Sequence, residues 1–212
     1  MKANILEANR HPNIVNCFAI RVVRMSPPVI KSKDSEKEAI QQAARFMLIA
    51  ARTAPKSAGV DDVLTSIVYG SEKNLIADKM EEIGVERGLK GFKRDARNLR
   101  DSEAVVLIGV RGSKSVGLDC GSCGLENCRE FDEQERRLGR DFLGPTCVFK
   151  ALDLGIALGS AVKTASNLNV DNRIMYRVGT AAVRLRMLPE ASVILGIPVS
   201  AHGKSIYFDR PT

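Results

Sequence analysis

The sequence predicts a mixed α/β (α+β) fold: a single sheet covered by helices, with a cysteine-bearing loop inserted after its central strand. Three observations carry this. The run Ala104-Val105-Val106-Leu107-Ile108-Gly109-Val110 is apolar without interruption and of strand length, as a strand buried on both faces requires. Amphipathic helical segments alternate with shorter apolar strands, with no internal repeat. Four of the five cysteines then follow that apolar strand, between Cys120 and Cys147, and functional loops commonly leave a central strand in this way. A chain of 212 residues is long enough for one sizeable core. The expected organisation is an extension over residues 1–30 and a single α/β domain over 31–212, with the cysteine segment at 112–150 inside it.

Each element has its own signal. Residues 1–30 show no amphipathic period and are broken by His11-Pro12-Asn13 and Ser26-Pro27-Pro28. They read as a disordered extension, with Met25 as an alternative start to Met1 and Cys17 as incidental. Ser35-Glu36-Lys37-Glu38 reads as a capping box opening a helix to about Thr53, with Ile40, Ala43, Met47 and Ala50 on one face. Ala54-Pro55 ends it, and Val63 to Tyr69 is a strand. Ser71 opens a second helix with Leu75, Ile76, Met80 and Ile83 inward, closing around Gly84 to Gly88. A short basic helix runs from about Gly91 to Asn98. Beyond Cys147 lies a long helix in which Gly155, Ala157, Gly159, Ser160 and Ala161 are small enough to admit a close helix–helix or dimer contact. A further helix, from Asn172 to about Leu188, carries Ile174, Met175, Val178, Ala181, Ala182 and Leu185, and a strand from Ser192 to Val199 follows.

Composition narrows the function. Hydrophobic residues make up 44% and charged residues 27%, ordinary globular values. No run of eighteen apolar residues exists, so no membrane helix is expected. Arg21 and Arg24 break the only apolar N-terminal stretch that resembles a leader, which places the chain in the cytoplasm. The net charge is +7, densest from Arg87 to Arg100. Phe92 alone does not supply the interleaved aromatics of a nucleic-acid reader, so this stretch reads as a solvated helix face or a docking patch for an acidic redox partner. With two histidines, His11 and His202, and no P-loop or dinucleotide fingerprint, no hydrolase or nucleotide site stands out.

The chemistry concentrates in Cys120, Cys123 and Cys128, spaced C-x2-C-x4-C, and in Cys147 after eighteen intervening residues. Three thiols within nine residues face one centre only if the backbone turns tightly, and Gly121 and Gly124 permit positive φ there. A three-plus-one grouping suits a [4Fe–4S] cubane, whereas zinc modules favour two close pairs. Four ligands leave no iron open to substrate, which points to electron transfer. The alternative is a zinc-binding structural module for protein or nucleic-acid interaction.

Asp119-Cys120-Gly121-Ser122-Cys123-Gly124, closed by Cys128 and by Pro145-Thr146-Cys147, resembles the 4Fe–4S domain of the corrinoid iron–sulfur protein and of the Rnf ferredoxin subunit. Over roughly residues 25–210, through Ala151-Leu152-Asp153-Leu154-Gly155 and Val170-Asp171-Asn172-Arg173, the chain resembles an uncharacterised prokaryotic family with a ferredoxin domain. A helix entering Ala54-Pro55-Lys56-Ser57-Ala58-Gly59, and the later Leu188-Pro189-Glu190 and Gly196-Ile197-Pro198, resemble nitroreductases. That resemblance implies a homodimer and an FMN site in which Lys56, Ser57 and Arg210 bind the cofactor. Lys31-Ser32-Lys33 stands where nitroreductases carry an Arg-x-Ser-x-Arg phosphate grip, and lysine lacks arginine's planar fork. Read without the resemblance, the Ala54-Pro55 turn is a plain helix C-terminus.

Overall fold

Strand β2 (Ala104–Val110) is buried at all seven positions and lies inside a four-stranded sheet of order β1-β2-β6-β5. Its neighbours are β1 (Val63–Tyr69) and β6 (Val193–Ser200), and β5 (Asp171–Asn172) borders β6. Every pairing is antiparallel: Val63 with Val110 at one end, Tyr69 with Ala104 and Val199 with Ala104 at the other. The computed structural model describes residues 29–208. The chain divides into Met1–Ile30, of which only Val29 and Ile30 are described, and a compact unit Lys31–Thr212. The expectations for the extension, Met25 and Cys17 lie outside the described residues.

Because a strand points alternate side chains to opposite faces, β2 serves two cores. Ala104, Val106, Ile108 and Val110 pack under α1 (Ser32–Thr53) and α5 (Val148–Asn167), through Ile40, Met47, Leu154 and Leu158. Val105 and Leu107 pack under α2 (Ser71–Arg87), α3 (Lys90–Asp101) and α6 (Tyr176–Arg184), through Ile76, Met80, Phe92, Leu99 and Val178. At about 1.5–3 kcal/mol for each fully buried large apolar side chain, these two layers hold the scaffold. Gly179 lets α6 lie directly on β6: a Cβ there would overlap the Ile194 carbonyl. Among the described residues no helix is long and apolar enough to cross a membrane.

Several local expectations change. Helix α1 starts at Ser32 with Lys31 as its N-cap and no side-chain capping bond, so Ser35 lies a turn inside it. The Lys31 carbonyl accepts from the Asp34 and Ser35 N–H groups, closing that turn earlier than the capping box would. On α2, Ile76, Met80 and Ile83 are buried, but Leu75 is 54% exposed. The helix expected from Asn172 begins only at Tyr176, because Asp171 and Asn172 pair with Ser200 and Val199 and Met175 bridges Gly196. Edge pairing there overrides helix propensity. In α5, Ala157 and Ala161 are fully buried in the core shared with α1, the close helix contact that small residues permit, while Gly155 and Gly159 face open space.

Candidate metal centre

The cysteine loop leaves the sheet at Gly112 and returns at Cys147, and one hydrogen-bonded corner holds both ends. The Cys147 N–H donates to the Gly112 carbonyl at 2.8 Å, and the Gly112 N–H donates to Ser192 Oγ at 2.9 Å. Ser192 N–H in turn donates to Val110 O at 2.9 Å, and Leu143 N–H to Ser192 O at 3.0 Å. A Cβ on Gly112 would overlap Ser192 and Thr146, so only glycine fits this corner. Cys147 is buried and is the N-cap of α5. One turn further, Lys150 is fully buried and paired with Asp62 at 2.6 Å.

The other three thiols sit on a turn closed at its base by two reciprocal bonds. The Asp119 N–H donates to Cys128 Sγ at 3.3 Å, and the Cys128 N–H donates to Asp119 Oδ1 at 2.7 Å. Between them, Asp119, Gly121 and Gly124 all have positive φ, and Gly124 N–H donates to Gly121 O at 2.9 Å. This is the backbone freedom that the two glycines predict. Asn127 then caps α4 (Cys128–Glu133) by accepting from Glu130 N–H at 3.0 Å. Cys120 and Cys123 are exposed, Cys128 is half-buried, and all four are free thiols. Hydrogen bonds from the Ser122 backbone and hydroxyl pull the Cys120 thiol below its ordinary pKa. Among the described residues, no three His, Cys, Asp or Glu side chains are gathered at metal-binding range. In kind, however, the donors fit a thiophilic centre: four thiols, with a backbone N–H already aimed at one sulfur.

A side-chain frame that the cysteine spacing does not announce fastens the rest of the excursion. Arg136 donates to Ser113 O and Phe131 O, both at 2.7 Å, and stacks 4.4 Å from the Phe131 ring centroid. Ser115 binds Asp132 through backbone and hydroxyl. Strands β3 (Arg137–Leu138) and β4 (Leu143–Gly144) form a separate two-stranded sheet. Between them, Asp141 pairs with Arg87 of α2 at 2.5 Å and accepts from the Tyr176 hydroxyl of α6. Burial raises the Asp141 carboxyl, but the Tyr176 bond and the Arg87 charge outweigh it and hold it below the ordinary carboxylate range.

The residues assigned to FMN are otherwise engaged. Lys56 folds back onto the carbonyls of Ala51, Arg52 and Ala54 and lies 3.7 Å from Asp61. Ser57 gives both its N–H and its hydroxyl to Asp153 Oδ1, each at 2.8 Å. Arg52 binds Asp61 and Val63 O. Arg210 lies outside the described residues. Lys56 and Ser57 are thus both bonded to protein groups in this structure. In the basic stretch, Phe92 is buried, Arg100 is paired with Asp78 and Glu81, and Asp95 is paired with Arg94 and Arg177.

A family profile described as "Uncharacterized protein containing a ferredoxin domain (DUF2148)" matches residues 143–210, which include Cys147 but not the three loop cysteines. The chain is 50% identical over 182 residues to an uncharacterized protein of Archaeoglobus fulgidus, covering 86% of this chain and 97% of that one. Among solved structures it is similar to an oxidoreductase containing FMN, with a TM-score of 0.50, 12% identity and coverage of 77% and 68%. A nitroreductase with bound FMN from Desulfitobacterium hafniense DCB-2 also has a TM-score of 0.50, with 11% identity and coverage of 84% and 82%. At these identities the likeness is one of fold: the scaffold is nitroreductase-like.

Proposed function

Since the chain belongs to the family of uncharacterised proteins containing a ferredoxin domain, we propose that it is an iron–sulfur redox protein holding one [4Fe–4S] cluster on Cys120, Cys123, Cys128 and Cys147. The observation that supports this reading is the loop that carries the four thiols. Three occupy a turn closed by the Asp119–Cys128 bonds, and the fourth stands at the corner from which the same loop departs. When bound, the cluster supplies a one-electron donor and acceptor with no open iron. Asp119 N–H lends a hydrogen bond to the Cys128 sulfur, and the Gly112–Ser192 corner holds Cys147 against the sheet. The exposed turn bearing Cys120 and Cys123 is the face offered to a redox partner protein in the cytoplasm, where thiols stay reduced.

A homodimer belongs to the same proposal. Leu152 and Ile156 are 54% and 44% exposed on α5 beside the open Gly155 and Gly159, a face on which a second copy can approach closely. Iron, sulfide, zinc and flavin are to be measured together on one anaerobically purified sample. A brown protein with about four irons and four sulfides per chain is expected. A colourless protein with stoichiometric zinc would replace this reading with a structural zinc module, and stoichiometric flavin would restore the FMN site.

A further inference from the structure

The end of the sheet opposite the cysteines holds a polar cluster with no part in that reading. Val199 pairs with Ala104, Ser200 pairs with Asp171, and Glu103 N–H donates to Val199 O. Extending this register by one residue sets Glu103, Ser200 and Asp171 in one row across β2, β6 and β5. Laterally paired residues share a face. By alternation this face also bears Val105, Leu107 and Ile194, the core under α2, α3 and α6. Tyr207, 3% exposed, belongs to the same core and covers the row.

Among the described residues, Glu103 Oε2, Asp171 Oδ2 and Ser205 Oγ are buried without a hydrogen-bond partner, and the Tyr207 and Ser200 hydroxyls, also buried, face each other. Ser200 is fully buried. Native folds rarely leave buried polar atoms unmatched, so such a concentration calls for something that binds oxygen. Two neighbouring cations give their hydrogen bonds to carbonyls, although the Lys73 charge also acts on Glu103. Lys73 gives its ammonium to the Ser102 and Arg100 carbonyls, and Arg173 binds the Tyr207 carbonyl at 3.1 Å. His202 lies 3.5 Å from Glu103 and carries charge only when protonated.

We propose that this row binds a hard divalent cation of the Ca²⁺ class, held by Glu103 and Asp171 with the Ser200 and Tyr207 hydroxyls and completed by water. All donors are oxygen, two of them carboxylate, which excludes a thiophilic ion. Ca²⁺ tolerates an irregular shell of mixed charged and neutral oxygens, whereas Mg²⁺ demands near-ideal octahedral geometry. The bound ion fastens Tyr207 and the chain around it to the short edge strand β5. It lies at the far end of β2 from Gly112, nine residues and about 30 Å away at about 3.3 Å per residue, so cluster loading does not decide its occupancy.

The test is Ca²⁺ titration of the full-length protein by calorimetry, alongside thermal unfolding, because thiols have little affinity for this ion. Saturable uptake of one ion per chain is expected, with a melting temperature that rises with Ca²⁺ concentration. Asp171→Asn should abolish both effects. Tyr207→Phe, which keeps the volume of the ring, should weaken binding about 10-fold and remains informative if the carboxylate variant fails to fold. Absence of saturable binding by the wild-type chain would overturn the proposal and leave the row to water alone. Undiminished binding by both Asp171→Asn and Glu103→Gln would overturn it equally, by placing the ion elsewhere.

Discussion

Strand β2 and the loop that follows it are neighbours in sequence and opposites in physics. Every residue of Ala104–Val110 is buried, whereas every residue from Gly117 to Gly124 is exposed. The strand is held by two apolar cores, and the turn by the two Asp119–Cys128 bonds and one glycine–glycine bond. A scaffold built by burial needs no metal to form. A turn carrying exposed thiols with little apolar contact draws its order from whatever those thiols bind. The fold and the proposed centre are therefore separable, and each can be broken without the other.

The largest effect is expected on the scaffold side. Gly179→Ala drives a methyl group into the Ile194 carbonyl and forces α6 off β6, so a loss above about 3 kcal/mol should appear as insoluble protein or a collapsed melting temperature. Gly124→Ala is the matched change in the turn, with open space around the Cβ but φ at +84°. Its cost should be about 1–2 kcal/mol, confined to the loop. Equal destabilisation by the two would erase the contrast.

The cysteines sharpen it from the other side. Cys120→Ser, at an exposed position, should remove most of the bound iron and sulfide while leaving the stability of the metal-free chain within about 0.5 kcal/mol. Circular-dichroism melts run beside iron assays would separate the two readouts. A full cluster spectrum in Cys120→Ser or Cys147→Ser would remove that residue from the ligand set.

The Asp141 clip, which joins the two regions, should respond to pH at both ends. Asp141 titrates below its ordinary value, so its contribution is present above about pH 4 and is lost as pH falls through the depressed folded value. Tyr176 is raised, by burial first and then by its bond to Asp141. Its contribution is therefore present below about pH 10 and is lost as pH rises through the folded value. Tyr176→Phe should remove the alkaline limb and destabilise by about 1 kcal/mol, read from melting temperatures across pH. Retention of that limb in the variant would assign it to another group.

Gly159→Leu should have the smallest effect on a single protomer, because nothing lies within 4 Å of its Cβ position. Stability should change by less than about 1 kcal/mol, while sedimentation shifts from dimer to monomer. An unchanged sedimentation coefficient would show that this face of α5 is not the contact.

The parts of the molecule legible in advance are those whose signal is local. Strands 63–69 and 104–110 read correctly to the residue because each is a short, strongly apolar or β-branched run bounded by turn residues. The start of α1 did not, since the Lys31 carbonyl closed a turn before Ser35 could cap one. The segment after Asp171 looked helical because its apolar spacing was helical, and only pairing with Ser200 and Val199 turned it into an edge strand.

The same division runs through the sites. By itself the sequence determined the kind, number and spacing of the thiol donors and the glycines that let them turn, because side-chain chemistry and φ freedom are properties of the residue and its immediate neighbours. Tertiary structure decided that Cys147 stands at the Gly112 corner, that Lys56 bonds the Ala54 carbonyl and Ser57 bonds Asp153, and that Asp141 meets Arg87 and Tyr176. It also decided that Glu103, Ser200 and Asp171 share one row. Each of these is a meeting of residues far apart in sequence, set by strand register and by which helix face each core accepts, and neither quantity is written in any short stretch of chain.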